Sequence, residues 1–381
     1  MLDEPLYPNA DNLFNAFYAN SIAIFIVNSD PGLRRVFESW KNLTPDALLS
    51  NLEKNQQLKS ALLQETPWVM EAKSETERKQ KLGQLFDLNT LTEKLQQNLQ
   101  KLKKLQKAGG GWTWFEGMPE SRFITQNIVT GMGHLDHLGI ANVRQDAETW
   151  NMLSKAIRYL DDQVAEDYKW IKKYDPGKLK EDHLGPVQVQ YLYARSYFLK
   201  DIPLSSGILH TASDIREAFD YFKKQSETYW LKNDLYTQGM IALALKRLGN
   251  PEIPAVIMKS LSEKALHSKE MGMYWAMREG YEWYQAPVET QALLIEAFDE
   301  VAANREAVDE MKIWLLKQKQ TQDWRTGRAT AEACYALLLR GMDLLSAESG
   351  IRIHVGNETI DPGQLQDTQA EAGTGYFQVS W

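Results

Sequence analysis

The densest grouping of groups able to do chemistry is the stretch "GMYWAMREGYEWYQAPVET". Glu279, Glu282 and Glu289 stand there among Tyr274, Trp275, Trp283 and Tyr284. Two opposed carboxylates are the acid and base of glycoside hydrolysis, and flat rings hold sugars. The competing reading is structural: the rings seal turns between helices and the acids face water. It is the favoured one, because sequence alone does not bring two of these carboxylates face to face. His134, Asp136 and His137 in "GHLDHLG" put two imidazoles on one helix face. Zinc takes three or four ligands, and His183, His210, His267 and His354 are scattered without ligand spacing. A polar helix end is therefore expected, with no metal and no cofactor. Cys334 is the single cysteine, so no internal disulfide can form. Its neighbours at helical spacing are Ala331, Tyr335 and Leu338, which predicts a buried, inert thiol.

A second aromatic grouping is "GGGWTWF", residues 109–115, with Trp112, Trp114 and Phe115. Together with Trp283 and Tyr284 of "EWYQAP" and Trp324 of "TQDWRTG" it makes a candidate peptide- or sugar-binding rim. Each of the three stretches stands just before a helix of similar pattern. A feature repeated at every unit reads first as architecture and only second as a binding surface.

The elements that must carry these groups are almost all helical. Of 381 residues, 43% are hydrophobic and 25% charged, the balance of a globular protein. The net charge of −8 argues against nucleic acid, whose binders carry basic faces. No run approaches the roughly 18 apolar residues of a membrane span, so no insertion into a bilayer is expected. The first ten residues are acidic and contain prolines, unlike a signal peptide. The chain reads either as cytosolic or as a piece of a larger exported protein. The basic "KLQQNLQKLKKLQK" spaces Leu95, Leu99, Leu102 and Leu105 as an amphipathic helix with a solvated lysine face.

Residues 11–110 read as consecutive helices: "DNLFNAFYANSIAIFIVNS", "PGLRRVFESWKNL", "TPDALLSNLEKNQQLKSALLQ", a charged helix over about 74–87, and the lysine-rich one. A repeat follows. Apolar helices in "SRFITQNIVTGMGHLDHLG", "LGPVQVQYLYARSYFLK", "KNDLYTQGMIALALKRLG", "QAPVETQALLIEAFDEV" and "RTGRATAEACYALLLRG" alternate with amphipathic ones in "ETWNMLSKAIRYLDDQVAEDY", "SDIREAFDYFKKQSETYWL", "IPAVIMKSLSEKAL" and "REAVDEMKIWLLKQK". The spacing is uneven, roughly 40 to 60 residues, within the range of helical repeats. Helices apolar nearly all round belong inside, and those with one wet face belong outside. No capping repeat is visible, so closure into a ring is expected over an open solenoid. The final segment changes character: "IRIHV", the following "GN" and "YFQVSW" are strand and turn chemistry. Trp381 stands as if mid-strand, which predicts the edge of a β-domain.

Five of these stretches in this order ("ALLQETPWVMEA", "GGGWTWF" with "SRFITQNIVTGMGHL", "APVETQALLIEAFDEV" and "TQDWRTGRATAEACYALLL") resemble the thioester-containing α/α-toroid region of bacterial α2-macroglobulin-like proteins, especially the large ones of Bacteroidetes. The resemblance covers nearly the whole chain. It implies an all-α toroid of about six helical hairpins over residues 1–347, and over 348–381 a short β-segment that starts a following domain. It also implies a periplasmic or cell-envelope location, neighbouring domains of the same larger chain as partners, and proteases as targets of the full-length protein. The family's thioester joins a cysteine to a glutamine in a Cys-X-Glu-Gln stretch, after Tyr-Pro and before an aromatic helix. Here Tyr7-Pro8 and that helix are present, but Asn9, Ala10, Asp11 and Asn12 occupy the motif. Without sulfur there is no acyl bond to hold poised for a nucleophile. The resemblance thus implies a non-enzymatic trapping domain without covalent capture, its thioester lost naturally or, less favoured, through an engineered N-terminus. The alternative from another class is an α/α-toroid glycoside hydrolase, or a carbohydrate- or peptide-binding module that uses the aromatic, carboxylate-rich rim.

Overall fold

A computed structural model describes residues 8–29, 86–140, 143–277, 280, 282–321, 324 and 326–339, four isolated positions between 34 and 83, and four short strands between 353 and 378. The fold is all-α. Eleven α-helices are described: α1 (Ala10–Ser29), α2 (Leu88–Leu105), α3 (Arg122–His137), α4 (Ala147–Tyr174), α5 (Pro186–Ser196), α6 (Ala212–Tyr229), α7 (Leu235–Arg247), α8 (Ile253–Glu263), α9 (Pro287–Glu300), α10 (Arg305–Thr321) and α11 (Gly327–Leu338). The chain forms two compact units, one of Met1–Ile22 with Thr92–Leu339 and one of Ala23–Leu91 with Arg340–Trp381. The helix read over 44–64, most of those read over 31–43 and about 74–87, and the boundary read at 347/348 lie outside the described residues.

Local chemistry sets the helix starts. Ser121, Asp146, Asp234 and Thr326 cap α3, α4, α7 and α11 by accepting a backbone N–H from the first turn, and Thr211 with Asp214 closes a capping box on α6. Proline in the first turn opens α5, α8 and α9, where its missing N–H costs nothing.

The two expected helix types are both present in the larger unit. In α7 every residue from Tyr236 to Leu245 is buried. In α6 burial is confined to Ile215, Ala218, Phe219, Phe222, Gln225 and Ser226, a single stripe. The apolar helices pack in chain order, α3 on α5, α5 on α7, α7 on α9 and α9 on α11, while α4, α6, α8 and α10 lie against them. Contacts also link the first and last of the series. The His134 ring of α3 stacks on Tyr335 of α11 with centroids 4.0 Å apart and 8° between planes. Helix α1 joins them: a Cβ on Gly131 of α3 would come within 2.4 Å of the Phe14 ring, so only glycine admits that approach.

One packing device recurs. Trp112, Trp275 and Trp324 are buried in the links before α3, α9 and α11. Each indole N–H donates to a carbonyl of the preceding outer helix: Leu102 of α2 at 3.0 Å, Leu261 of α8 at 3.0 Å and Leu315 of α10 at 3.3 Å. In α2 this satisfies one of the carbonyls that the helix end leaves without an intrahelical donor, and Thr113 N–H, 3.3 Å from Leu105 O, serves another. The inner helices add a buried glutamine one turn in. Gln126 and Gln291 donate to backbone carbonyls of neighbouring segments, Val187 O and Met273 O, at 3.1 and 2.9 Å.

Strands are few. β1 (Leu266–Ser268) pairs antiparallel with β2 (Gly272–Tyr274), a hairpin the helical pattern does not foretell. Gly272 turns it at φ +66°, where a Cβ would meet Glu310 O at 2.1 Å. In the second unit β3 (Ile353–Val355) pairs antiparallel with β4 (Glu358–Ile360), and β5 (Gln369–Glu371) with β6 (Tyr376–Gln378), strands within the region read as such.

Trp112→Phe keeps the ring volume roughly but strands the Leu102 carbonyl. It is expected to lower unfolding free energy by about 1–3 kcal/mol, measured by urea titration, whereas Phe115→Ala, at a side chain 45% exposed, leaves it within error.

Candidate functional site

The start of α1 is held by its own polar residues. Asn9 Oδ1 accepts the Asn12 N–H at 2.8 Å, an N-cap geometry, and Asn9 O accepts the Leu13 N–H at 2.9 Å. Ala10 is buried and donates its N–H to Trp114 O at 3.0 Å. Asp11 accepts from Asn15 Nδ2 at 3.1 Å. Burial raises the Asp11 carboxyl above its ordinary range, while Arg328 and Asn15 draw it back. Of the four residues at the degenerate motif, Asn9 and Ala10 thus build the helix start, and Asp11 faces open space. Cys334 sits on α11 with its thiol pushed up to about 11 by burial. It is therefore a protonated thiol at neutral pH and a poor nucleophile.

Asp11 lines a cleft of about 630 Å³. Trp114, Phe123 and Trp283 form one wall. Trp114 lies nearly parallel to Phe123 (6.2 Å, 19°), and Phe123 is tilted against Trp283 (5.9 Å, 59°). Glu282, Glu289 and Arg328 also line it. The Arg328 guanidinium sits 5.5 Å above the Trp283 ring and donates to Tyr236 Oη at 3.0 Å.

The residues of the candidate rim therefore separate. Trp114, Trp283 and Trp324 meet at the cleft. Trp112, 1% exposed, belongs to the core and not to a rim. Phe115 is exposed but does not line the cleft; Tyr284 meets the edge of Trp283 at 5.5 Å without lining it either. The acid–aromatic stretch separates too. Glu282 and Glu289 reach the cleft, Trp275 is buried, and Glu279 lies outside the described residues. The indole that fastens the link before α9 is Trp275, not Trp283 of the "EWYQAP" turn.

A polar cluster that sequence reasoning missed lies deeper among the inner helices. Glu296 of α9, 1% exposed, accepts from Tyr193, from Tyr197 at 2.5 Å, from Tyr335 at 2.8 Å and from Arg247 at 2.6 Å. Burial alone would push its carboxyl up; Arg247, His134 and the tyrosine hydroxyls outweigh that and hold it at about 2. Burial, with Glu296 opposing and Arg247 adding, holds His134 at about 4. Burial also raises Glu332 to about 8 against the pull of Arg328, with Glu296 and Glu289 adding to the rise.

Tyr193 Oη lies 2.8 Å from Tyr197 Oη and 2.9 Å from His134 Nε2 and also donates to Glu296, an arrangement that the Nε2–H tautomer of His134 completes. His134 Nδ1 then faces Glu332 Oε2 at 3.5 Å as an acceptor toward a protonated carboxyl, a contact of neutral groups and not an ion pair. His134 is thus committed to tyrosines, and Asp136 to Arg144 at 2.8 Å, which separates two of the three residues of the "GHLDHLG" trio. Among the described residues no three His, Cys, Asp or Glu side chains gather as a metal would need. The one sequence signal for the cluster was tyrosine at positions 193, 197 and 335, on or just after inner helices. Compared with known proteins, the chain matches no protein-family model and no curated protein.

Two outcomes follow from the protonation states. An unfolded glutamate titrates near 4.5, but folded Glu332 keeps its proton to about 8. Between those values the folded state binds more protons, so this group's contribution to stability falls as pH rises. Glu332→Gln cannot titrate. Urea midpoints of variant and wild type, compared at pH 5 and pH 8, should therefore move in the variant's favour at the higher pH; a constant difference would refute the assignment. Native Cys334 should react with a disulfide reagent at pH 8 far more slowly than the urea-unfolded chain, as read by thiolate absorbance.

Proposed function

We propose that this chain is the α/α-toroid domain of an α2-macroglobulin-like protease-trapping protein that has lost its thioester. It captures nothing covalently and is not an enzyme. Its part in trapping is conformational: the inner helices provide a rigid body that neighbouring domains of the same chain move against as they enclose a protease. The periplasm or cell envelope is the corresponding compartment. No described helix is long and apolar enough to cross a membrane.

The observation that carries the reading is the setting of Asn9, Ala10, Asp11 and Asn12. They stand where the resemblance puts the acyl-forming motif, at the amino end of an aromatic inner helix, beside a cleft walled by Trp114 and Trp283. A reactive acyl bond needs such a place, next to rings that exclude water and within reach of an entering nucleophile. The side chains there are a capping carboxamide, a buried methyl and a carboxyl, none of which is a leaving group. The only thiol of the chain is on α11 and protonated.

The test has two arms. Labelled methylamine should not be incorporated, and mass spectrometry finding it at residues 9–12 would overturn the loss of the thioester. The full-length protein that contains this chain, after exposure to a protease, should shield large protein substrates while small chromogenic ones are still cut. Equal cleavage of both would refute the trapping role.

A further inference from the structure

Beneath the cleft lies a recess of about 30 Å³, adjoining it through Asp11, Asn127 and Arg328, which line both. That is room for one water-sized group. Tyr18 of α1 and Thr130 of α3 line the recess, 2% and 7% exposed, and neither hydroxyl has a hydrogen-bond partner among the described residues. A buried hydroxyl without a partner is costly, so a site that leaves two of them facing one space is suited to a guest that donates and accepts there.

The cleft above restricts what that guest can be. Among the described lining residues there are three carboxyls, Asp11, Glu282 and Glu289, against the single guanidinium of Arg328, which disfavours phosphates and acidic sugars. Arg328 already lies over the Trp283 ring, so that ring face is held by a cation of the chain itself and Trp114 is the ring left for a guest. Among the described lining residues there is no strand edge for an extended peptide to pair with. What remains is a neutral molecule with one flat apolar face for Trp114 and hydroxyls around its edge. The volume falls in the roughly 300–1,000 Å³ range of small-molecule sites.

We propose that the cleft and its recess bind a neutral oligosaccharide, one pyranose lying against Trp114 and one of its hydroxyl groups entering between Tyr18 and Thr130. The proposal concerns binding without turnover and does not rest on the protease-trapping reading.

The experiment is titration of the whole chain with cellotetraose and chitotetraose, and with tetragalacturonic acid as the anionic counterpart, followed by tryptophan fluorescence and calorimetry. The neutral sugars should saturate and the anionic one should not. Trp114→Ala should weaken binding roughly tenfold, in line with the loss of one stacked ring, while Phe115→Ala binds as wild type. Thr130→Val keeps shape, removes the hydroxyl, and should weaken binding severalfold without lowering the melting temperature. Absence of saturable binding by any neutral sugar, or wild-type affinity in Trp114→Ala, would overturn the site; wild-type affinity in Thr130→Val would overturn the recess as its polar end. Should Trp114→Ala unfold, saturation-transfer NMR on the unaltered chain decides the matter: signals on one sugar face and one hydroxyl-bearing carbon support the site, and uniform or absent transfer refutes it. Competition by a neutral peptide as strong as by the sugar would also refute it.

Discussion

The Glu296 carboxylate is the constraint around which the inner helices are arranged. It lies on α9, and its donors come from α5, α7 and α11, so one buried anion ties four helices at a fixed rotation and height. Apolar packing alone would not set that register. The inner helices present many small and aliphatic side chains, whose burial is non-directional. A carboxylate that must keep its four donors cannot slide, because losing any one leaves charge or hydroxyl buried without compensation. Arg247 strengthens the tie by also holding Glu300 at 2.9 Å and lying 4.0 Å over the Tyr197 ring.

That arrangement explains how much could be read from sequence. The alternation of apolar and amphipathic helices was legible because it is a local pattern: a run of small and aliphatic residues from Gly239 to Leu245 in α7, a 3–4 spacing in α6. The caps at Ser121, Thr211 and Thr326 are equally local chemistry but were not read from the sequence. The Glu296 cluster was not legible. Its members run from Tyr193 to Tyr335 in sequence, and a lone glutamate in "ALLIEAFDEV" reads as a charge on a wet face until three tyrosines are seen to converge on it. The β1–β2 hairpin was hidden by its shortness; three-residue strands carry too little alternation to be seen against flanking helices.

The aromatic turns show the same limit within one class of residue. Sequence reading grouped Trp112, Trp114, Phe115, Trp283, Tyr284 and Trp324 because each stands before an inner helix. In space they divide by what their edges meet. Trp112 and Trp324 have their indole N–H committed to a carbonyl, whereas Trp114 is 39% exposed. A place before an inner helix does not separate the two roles: the carbonyl that takes an indole N–H lies only 9 to 14 residues upstream, and Trp324 both closes a joint and lines the cleft. The cleft itself draws on α1, α3, α9, α11 and the links before three of them, and so it could not be assembled from any single stretch.

The three indole-to-carbonyl bonds have a mechanical implication. Each rivets the tail of an outer helix to the link that launches the next inner one, at separations of 10, 14 and 9 residues. Strain arriving at a link therefore passes into the helix before it, and through the shared Glu296 carboxylate into the other inner helices, so the hairpins respond together.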